Sequence, residues 1–328
     1  MRRARIIGLG QWVPPKLVTN EELANIMGKP IPDSIENKLG IKQRYWTGEE
    51  YSSADLGFHA AREALLDAGL TPEDIDLIVV ATDTPEYVSP ATSSVIQGRL
   101  GAKNAGTFDL NASCAGFVAA LDMASRMIGY DQTYTNVLVI GVYNMTKFAD
   151  MTNERVAPIF ADGGGAAVLQ GQEGEAGYQS GYLYADGTQY DFLGIYYGGT
   201  KHPVTVEAVE EKKHLLTFLK PLPPDRNIQL WPECIPKALA KVGLTIQDID
   251  HVVFTQINRW VIEEVMVKLA LPWEKTTCVM DQFGYTGSAC IPMALLKAER
   301  EGRIKQGDVV VMVGSGVGLA VATTVFKW

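Results

Sequence analysis

Cysteine and histidine are both scarce in this chain of 328 residues, with four of each. The cysteines stand at positions 114, 234, 278 and 290, without the close pairing of a metal site or the density of a disulfide framework. We therefore expect no metal centre and no disulfide scaffold. A reducing, cytoplasmic setting is the expected location of such a chain.

Long apolar runs and basic stretches are missing as well. No segment approaches the roughly 18 consecutive apolar residues of a membrane helix, so no membrane span is expected. The positively charged start is followed by only a few apolar residues before Gln11 and Pro14, which predicts a first strand and no signal peptide. A net charge of −9 without a Lys/Arg-rich stretch argues against nucleic acid as a partner.

An internal repeat organises the residues that are present. Both copies of each repeated segment are apolar runs or strand-to-helix junctions, and a constant offset between such segments indicates a duplicated architecture. Three segments recur in the same order about 174 residues later: 70–81 as 244–255, 113–121 as 287–295, and 136–141 as 308–313.

The alternation of apolar and amphipathic segments predicts an α/β fold. Buried strands at 77–81, 136–142 and 309–314 alternate with amphipathic helices at 54–68, 115–129 and 289–301. We predict two α/β halves, 1–170 and 171–328, with the reactive cysteine in the first. Segment 171–232 breaks the pattern, and we interpret it as an insertion that covers one side of the groove between the halves.

Cys114 is the candidate nucleophile. It lies where a strand ending near Leu110 meets a helix beginning at about Ala115, and the positive end of a helix dipole favours thiolate over thiol. The alternative is a small buried hydrophobe, which free cysteines often are. Cys290, one turn into the equivalent helix of the second half, is interpreted as a core residue.

Several short segments are similar to signatures of the thiolase superfamily, and specifically of its β-ketoacyl-acyl-carrier-protein synthase III group. The resemblance implies a thiolase-like fold, layered as an α-β-α-β-α sandwich. It also implies an acyltransferase that uses a coenzyme A thioester as substrate and holds no permanent cofactor. The segments are 6–15, 39–44, 78–82, 112–116, 160–167, 302–308 and 314–318.

The resemblance also implies roles for particular residues. Cys114 takes the nucleophile position, and backbone donors at Cys114, Gly316 and Val317 take the oxyanion position. Gly318 belongs to the same glycine-rich turn and is assigned to substrate binding. Thr255 stands where this group has a catalytic histidine, and Tyr285 stands where it has a catalytic asparagine. Neither side chain matches those proton donors near neutral pH, which favours simple acyl transfer over decarboxylative condensation.

Further positions are assigned by the same resemblance. Arg155 matches a residue that stacks on the adenine of coenzyme A. The position opposite it, where an aromatic residue is expected, is occupied by Ser34. Asn258 is either a substrate-binding residue or a helix cap. Ser89 stands where a bulky residue often closes the acyl pocket. Trp260 stands where an arginine helps to dock acyl carrier protein, so that partner is a weaker expectation than acyl-CoA.

Two classes of function therefore remain open. The first is an enzyme of fatty-acid or polyketide-like metabolism that forms an acyl thioester on Cys114 and passes the acyl group to an acceptor, or to water as a thioester hydrolase. The second is a non-condensing partner subunit of a related synthase. A dimer is expected in either case, as a homodimer or as a heterodimer with a related chain.

Overall fold

The computed structural model describes residues 1–328 and contains two main β-sheets. The strands are β1 (Arg2–Trp12), β2 (Lys16–Thr19), β3 (Gln43–Trp46), β4 (Leu77–Ala81), β5 (Gly106–Leu110), β6 (Asn136–Asn144), β7 (Asp162–Glu173), β8 (Gly177–Ala185), β9 (Leu193–Gly194), β10 (Thr217–Phe218), β11 (His251–Phe254), β12 (Val309–Gly316) and β13 (Ala320–Lys327). The helices are α1 (Asn20–Met27), α2 (Asp33–Asn37), α3 (Ser53–Ala68), α4 (Thr92–Leu100), α5 (Gly116–Tyr130), α6 (Val206–Glu210), α7 (Arg226–Leu239), α8 (Arg259–Lys268), α9 (Met280–Phe283) and α10 (Cys290–Arg300). None of these helices is long and apolar enough to span a membrane.

The two sheets repeat one strand order. The first runs β1-β7-β6-β4-β5 and the second runs β8-β13-β12-β11. In each, one of the matched pairs is parallel, β4 with β6 and β11 with β12, while the remaining matched pairs are antiparallel. Only β5 has no counterpart, so the predicted duplication is confirmed over four strands of each half.

Small backbone details repeat at the same offset. Thr71 and Asp74 form a capping box at a short 3₁₀ turn, and Thr245 and Asp248 form the same box in the second half. Ser113 has a φ of 47° and Gly287, its counterpart, has a φ of 46°. A non-glycine residue rarely adopts this left-handed backbone conformation unless the surrounding structure holds it there. The turn before Cys114 is therefore strained and has a fixed conformation.

The predicted layering is confirmed by the position of the helices. Helix α3 packs on the outer face of the first sheet, and α7 and α8 cover the outer face of the second. Helices α5 and α10 lie between the sheets, where Phe117, Leu121, Met293 and Leu295 are fully buried. The nucleophile region at the start of α5 is therefore held from both sides by packed apolar surface.

The segment 171–232 differs from the predicted insertion. Its first part completes β7 and then forms β8, which pairs with β13 along eight residues. Its last part begins α7, whose Trp231 is 1% exposed and stacks on Phe254. Aromatic and turn residues concealed this regular structure in the sequence. The covering segment is thus 186–225, and we propose that the boundary between the halves lies at 174–176, between β7 and β8.

Candidate active site

Cys114 lies at the inner end of a cavity between the two halves. The turn that presents it is closed by hydrogen bonds from Ser113 N to Asn111 Oδ1 (2.9 Å) and from Gly116 N to Ser113 O (2.8 Å). The side chain is 7% exposed, yet it lines a cavity of about 210 Å³. A buried thiol at the end of a cavity is accessible to a substrate that enters it.

Both halves and the covering segment form the cavity wall. Polar residues of both halves line it, among them Asp83, Asn111, Arg226, Asn227, Thr255 and Tyr285. Leu193, Ile195, Leu216 and Leu222 of the covering segment supply apolar surface on one side. The predicted cover over the groove is therefore present, although it is shorter than the sequence suggested.

The expectation that the helix start shifts Cys114 towards the thiolate is not met, because burial has the larger effect on its pKa. Burial raises the pKa of the Cys114 thiol well above its usual range, and the nearby carboxyl group of Asp83 raises this pKa further. A hydrogen bond with the Tyr285 hydroxyl lowers the thiol pKa but does not compensate. The resting side chain is therefore a neutral thiol that needs a proton acceptor during the reaction.

Tyr285 connects the two halves beside the thiol. Its backbone N donates to Ile159 O and its backbone O accepts from Ala161 N, both at 3.0 Å. The ring is 3% exposed and lies 5.9 Å, between centroids, from the ring of Tyr143. Burial raises the pKa of the Tyr285 hydroxyl well above its usual range, so this group is a hydrogen-bond donor and not a base.

Thr255 occupies the cavity wall directly after β11. Its Oγ1 accepts a hydrogen bond from Ser315 N at 2.9 Å, and its own backbone N donates to Val313 O at 3.1 Å. The residue is 1% exposed. Thr255 thus fixes the end of β12 next to the thiol, and it has no group that exchanges a proton near neutral pH.

The glycine-rich turn lies against the nucleophile, as predicted. A Cβ on Gly316 would lie 2.6 Å from Ala112 O and 2.9 Å from Cys114 N, so no larger residue fits there. Gly316 and Val317 line the cavity. The backbone N–H of Cys114 is not engaged by any turn, loop or side-chain acceptor and is available as a donor.

Four other predicted residues lie away from the cavity that contains the thiol. Asn258 caps α8, with its side chain accepting from Val261 N, so the cap interpretation is favoured. Ser89 lies on an exposed loop, and Gly318 lies in the turn between β12 and β13, neither of them lining the cavity. Arg155 is exposed and lines a neighbouring groove of about 750 Å³, which shares Leu216 with the cavity.

The histidines and the other cysteines also lie outside the cavity. His251 is buried against Thr277, and burial lowers its pKa to about 4. His59 stacks on Trp12, while His202 and His214 belong to the covering segment. Cys290 is fully buried, and its Sγ accepts from Gln256 N at 3.4 Å, as expected of a core residue.

Sequence reasoning missed two charged residues in the cavity. Asp83 follows β4, and its Oδ1 is buried without a hydrogen-bond partner, while burial raises its pKa to about 6. Arg226 begins α7 and forms no ion pair. The position of Asp83 at the carboxyl end of a parallel strand was an available signal. Arg226 follows the proline-rich end of the covering segment, where no periodic pattern indicates its position.

Comparison with known proteins supports the resemblance along the whole chain. The family described as 3-oxoacyl-[acyl-carrier-protein (ACP)] synthase III matches residues 108–187, and its C-terminal region matches residues 239–328. A β-ketoacyl-[acyl-carrier-protein] synthase III of Desulfitobacterium hafniense is 36% identical over 323 residues, covering 98% of this chain and 97% of that protein. The chain belongs to the 3-oxoacyl-[acyl-carrier-protein] synthase III family.

Solved structures of synthase III proteins have the same fold. The 3-oxoacyl-[acyl-carrier-protein] synthase III of Aquifex aeolicus has a TM-score of 0.87 and 30% identity, with 99% of this chain and 100% of that chain covered. A priming β-ketosynthase of the R1128 polyketide pathway has the same TM-score at 28% identity, with 99% and 96% covered. As a synthase III family member, this chain is an enzyme of the acyltransferase type.

Proposed function

We propose that this chain accepts an acyl group from a coenzyme A thioester on the sulfur of Cys114 and transfers it to a second substrate. The observation that supports this proposal is the placement of the thiol. Cys114 lies at the inner end of a cavity formed by both halves, next to the free backbone donor at Cys114 N and the glycine turn at Gly316.

Acylation is a thioester exchange. The Cys114 Sγ–carbon bond forms first, the bond from the acyl carbon to the coenzyme A sulfur then breaks, and the thiol proton ends on the departing sulfur. The carbonyl oxygen becomes an oxyanion between these steps. Backbone N–H groups at Cys114 and in the 316–317 turn stabilise it, since no side chain there blocks the approach.

Asp83 is the proton acceptor of this mechanism. Five titratable residues line the cavity. Burial raises the pKa of the Cys114 thiol and of the Tyr143 and Tyr285 phenols well above their usual ranges, and Arg226 is a cation. Only the Asp83 carboxyl, with a pKa raised to about 6 by burial, changes its charge near neutrality. It receives the thiol proton, passes it to the leaving sulfur and later receives a proton from the acceptor.

The charges around Asp83 agree with this role. The groups coupled to it electrostatically are the Cys114 thiol and the Tyr143 phenol, and no cation pairs with it. Its loop is held in place, with Thr84 N donating to Thr82 Oγ1 (3.0 Å) and Asn144 N donating to Thr84 Oγ1 (2.9 Å). A carboxylate without a cation remains basic, which a proton acceptor requires.

Transfer to an oxygen, nitrogen or sulfur acceptor is the reaction that these residues favour. Decarboxylative condensation needs two donors that stabilise an enolate beside the thiol. Thr255 and Tyr285 have only neutral hydroxyl groups, and burial raises the pKa of the Tyr285 hydroxyl well above its usual range, so neither side chain transfers a proton near neutral pH. Acyl transfer needs only the oxyanion donors and a base, both of which the cavity has.

The neighbouring groove is proposed to bind the coenzyme A portion of the donor. Arg155, which forms no ion pair, provides positive charge for phosphate groups, while Lys212 and Lys220 on the same wall are paired with Asp150 and Asp191. Its shared wall at Leu216 places it next to the cavity with the thiol. Acyl carrier protein, which presents a phosphorylated carrier arm, is the alternative donor for the same groove.

A dimer is proposed from the free edge of the first sheet. Strand β5 pairs only with β4, and its residues 107–110 are half-buried. An unpaired edge strand favours addition of a further strand, here β5 of a second copy or of a related chain. Sedimentation of the purified chain would distinguish these cases.

Intact-protein mass spectrometry tests the proposed function. After incubation with acyl-CoA donors or acyl carrier proteins, we expect an acyl mass increment that Cys114→Ala abolishes and Cys278→Ser, a thiol outside the cavity, retains. Added malonyl-CoA distinguishes condensation, which yields carbon dioxide and a β-keto product, from transfer. Release of free acid would indicate a thioester hydrolase. A folded protein that no donor acylates would overturn the proposal in favour of a non-condensing partner subunit.

A further inference from the structure

Arg226 is a cation without a partner in the cavity. Its guanidinium makes no ion pair, hydrogen bond or stacking contact with another side chain of the chain, and no other cation lines this cavity. By contrast, the buried Arg44 donates to Val18 O, Asn20 Oδ1 and Pro158 O. Arg226 is partly exposed on the cavity wall, so its guanidinium is free to bind an anionic ligand that enters the cavity.

The position of Arg226 is fixed by its helix. It is the first residue of α7, and this helix is held by Trp231 and Ile235, both at most 1% exposed. Pro223 and Pro224 restrict the chain immediately before it. The guanidinium therefore extends from a rigid element into the cavity, as a ligand-binding arginine does.

A second unpaired polar group lies beside it. Asn227 also lines the cavity, and its Oδ1 is buried without a hydrogen-bond donor. Burial lowers the pKa of Arg226, while nearby Tyr285 and Cys114 raise it. Arg226 thus lies on the cavity wall near the thiol and provides a cation for a substrate that enters the cavity.

We propose that Arg226 binds a carboxylate carried by the substrate that reacts at Cys114. This inference rests on the acyl transfer proposed above and specifies its substrate class: the half-thioester of a dicarboxylic acid, such as a succinyl or glutaryl group. A guanidinium and a carboxylate form two parallel N–H···O bonds, and the apolar side of the cavity holds the methylene groups between carboxylate and thioester.

The rest of the cavity supports a carboxylate at this place. Asp83 lies close to the thiol and has no charge interaction with Arg226, so an anion is repelled from the Asp83 side and attracted to the Arg226 side. Phosphate groups of the donor have a cation of their own, Arg155, in the neighbouring groove. The anion at Arg226 is therefore part of the acyl group or of the acceptor.

The carboxylate is retained during the reaction. Loss of carbon dioxide moves the negative charge from the carboxylate to carbon, and a guanidinium bound to the carboxylate stabilises the state before that loss. Arg226 therefore opposes decarboxylation of a group that it binds.

The test compares donors of equal shape and different charge. 4-Methylpentanoyl-CoA has two methyl groups in place of the two carboxylate oxygens of succinyl-CoA. The rate of Cys114 acylation by each donor is followed by mass spectrometry. We expect the wild-type chain to prefer succinyl-CoA by at least about tenfold and Arg226→Gln to lose this preference. Arg226→Gln should acylate with 4-methylpentanoyl-CoA at the wild-type rate. Arg62→Gln, on the exposed face of α3, is the charge-matched control.

A second arm distinguishes a carboxylate on the acceptor. With Cys114 already acylated by a neutral group, β-alanine and propylamine are compared as acceptors in the wild-type chain and in Arg226→Gln. A tenfold preference for β-alanine that Arg226→Gln abolishes assigns the carboxylate to the acceptor. Equal rates for charged and neutral partners in both arms overturn the inference, while the acylation itself keeps the proposed function intact.

Direct binding keeps the inference testable if no donor acylates the thiol. Monomethyl succinate is titrated into the Cys114→Ala protein by calorimetry, with thermal unfolding as the check that each variant is folded. We expect binding that weakens at least about tenfold in Arg226→Gln. The absence of binding, or equal affinity for both proteins, contradicts an anion site at Arg226.

Discussion

The hydroxyl of Thr255 accepts a hydrogen bond from the backbone N–H of Ser315 at 2.9 Å. This bond joins the end of β11 to the last residues of β12, immediately before the turn that lies against Cys114. A residue expected in the reaction itself is thus a positioning residue. Its side chain fixes the position of the backbone at 315–317 beside the thiol.

Thr255→Val should separate this role from chemistry. Valine has the shape of threonine but no acceptor, so the buried N–H of Ser315 loses its partner and the free energy of unfolding should fall by about 1–3 kcal/mol. Thr255→Ser keeps the hydroxyl and serves as the control. Urea unfolding of both variants gives the comparison, and equal stability of the two would refute the role. Acylation of Cys114 should slow in the valine variant only.

Tyr285→Phe removes the hydroxyl beside the thiol and leaves the ring. Since the hydrogen bond lowers the pKa of Cys114, its loss should raise that pKa, and alkylation by iodoacetamide at pH 8 should slow by about tenfold. Tyr143→Phe, which removes a nearby phenol without a hydrogen bond to the thiol, is the matched control. Similar alkylation rates for both variants would show that the Tyr285 hydroxyl does not act on the thiol.

The sequence was sufficient to predict the frame of the site. Apolar strands such as β4 and β12 have a strong pattern of their own, and the repeat offset places their carboxyl ends at one groove. Cys114 and the turn at Gly316 were predicted there because motif and repeat agree. The pairing of β8 with β13 was not predicted, since a strand at a sheet edge with aromatic residues lacks a clear apolar run.

The electrostatics of the site could not be predicted from the sequence. The raised pKa of Cys114 depends on how much of the second half covers it, which no local pattern encodes. Asp83 gains its role only because no cation comes near it in the fold. Arg226 is close to Cys114 through contacts between residues more than a hundred positions apart, so its partner-free state is visible only in the structure.

Gly316→Ala should disturb the oxyanion region. The added Cβ would lie 2.6 Å from Ala112 O, so the turn or the nucleophile loop must move apart. We expect a loss of about 1–3 kcal/mol of unfolding free energy and at least a tenfold slower acylation. Gly98→Ala, in α4 with no atom near the added Cβ, should instead be stabilising by about 0.5–1 kcal/mol. Thermal unfolding and mass spectrometry measure both, and a fully active Gly316→Ala would contradict the close approach.

Asp83→Asn tests the proton acceptor. The carboxyl must be ionised to accept a proton, so the acylation rate of the wild-type chain should rise with pH through about 6 and then level off. The asparagine variant should lose this inflection and acylate about a hundredfold more slowly at pH 7. Asp83→Glu, which retains a carboxyl group, should preserve the inflection. A wild-type profile that is flat between pH 5 and 7 would exclude Asp83 as the base.

The same substitution should stabilise the fold at neutral pH. Burial raises the pKa of Asp83 from 3.8 to about 6 in the folded chain, so its carboxyl is most favourable when protonated, and stability is lost as the pH rises through about 6. Asp83→Asn should therefore raise the free energy of unfolding by about 2 kcal/mol at pH 8, and by little at pH 4. Asp74→Asn should instead lower the free energy of unfolding at neutral pH, because hydrogen bonds from Thr71 lower the pKa of Asp74 and its carboxylate stabilises the fold there. Melting curves of both variants at pH 4 and pH 8 decide the matter. If Asp83→Asn destabilised the fold at pH 8, the carboxylate would have a stabilising hydrogen-bond or charge partner and would not be free to accept a proton.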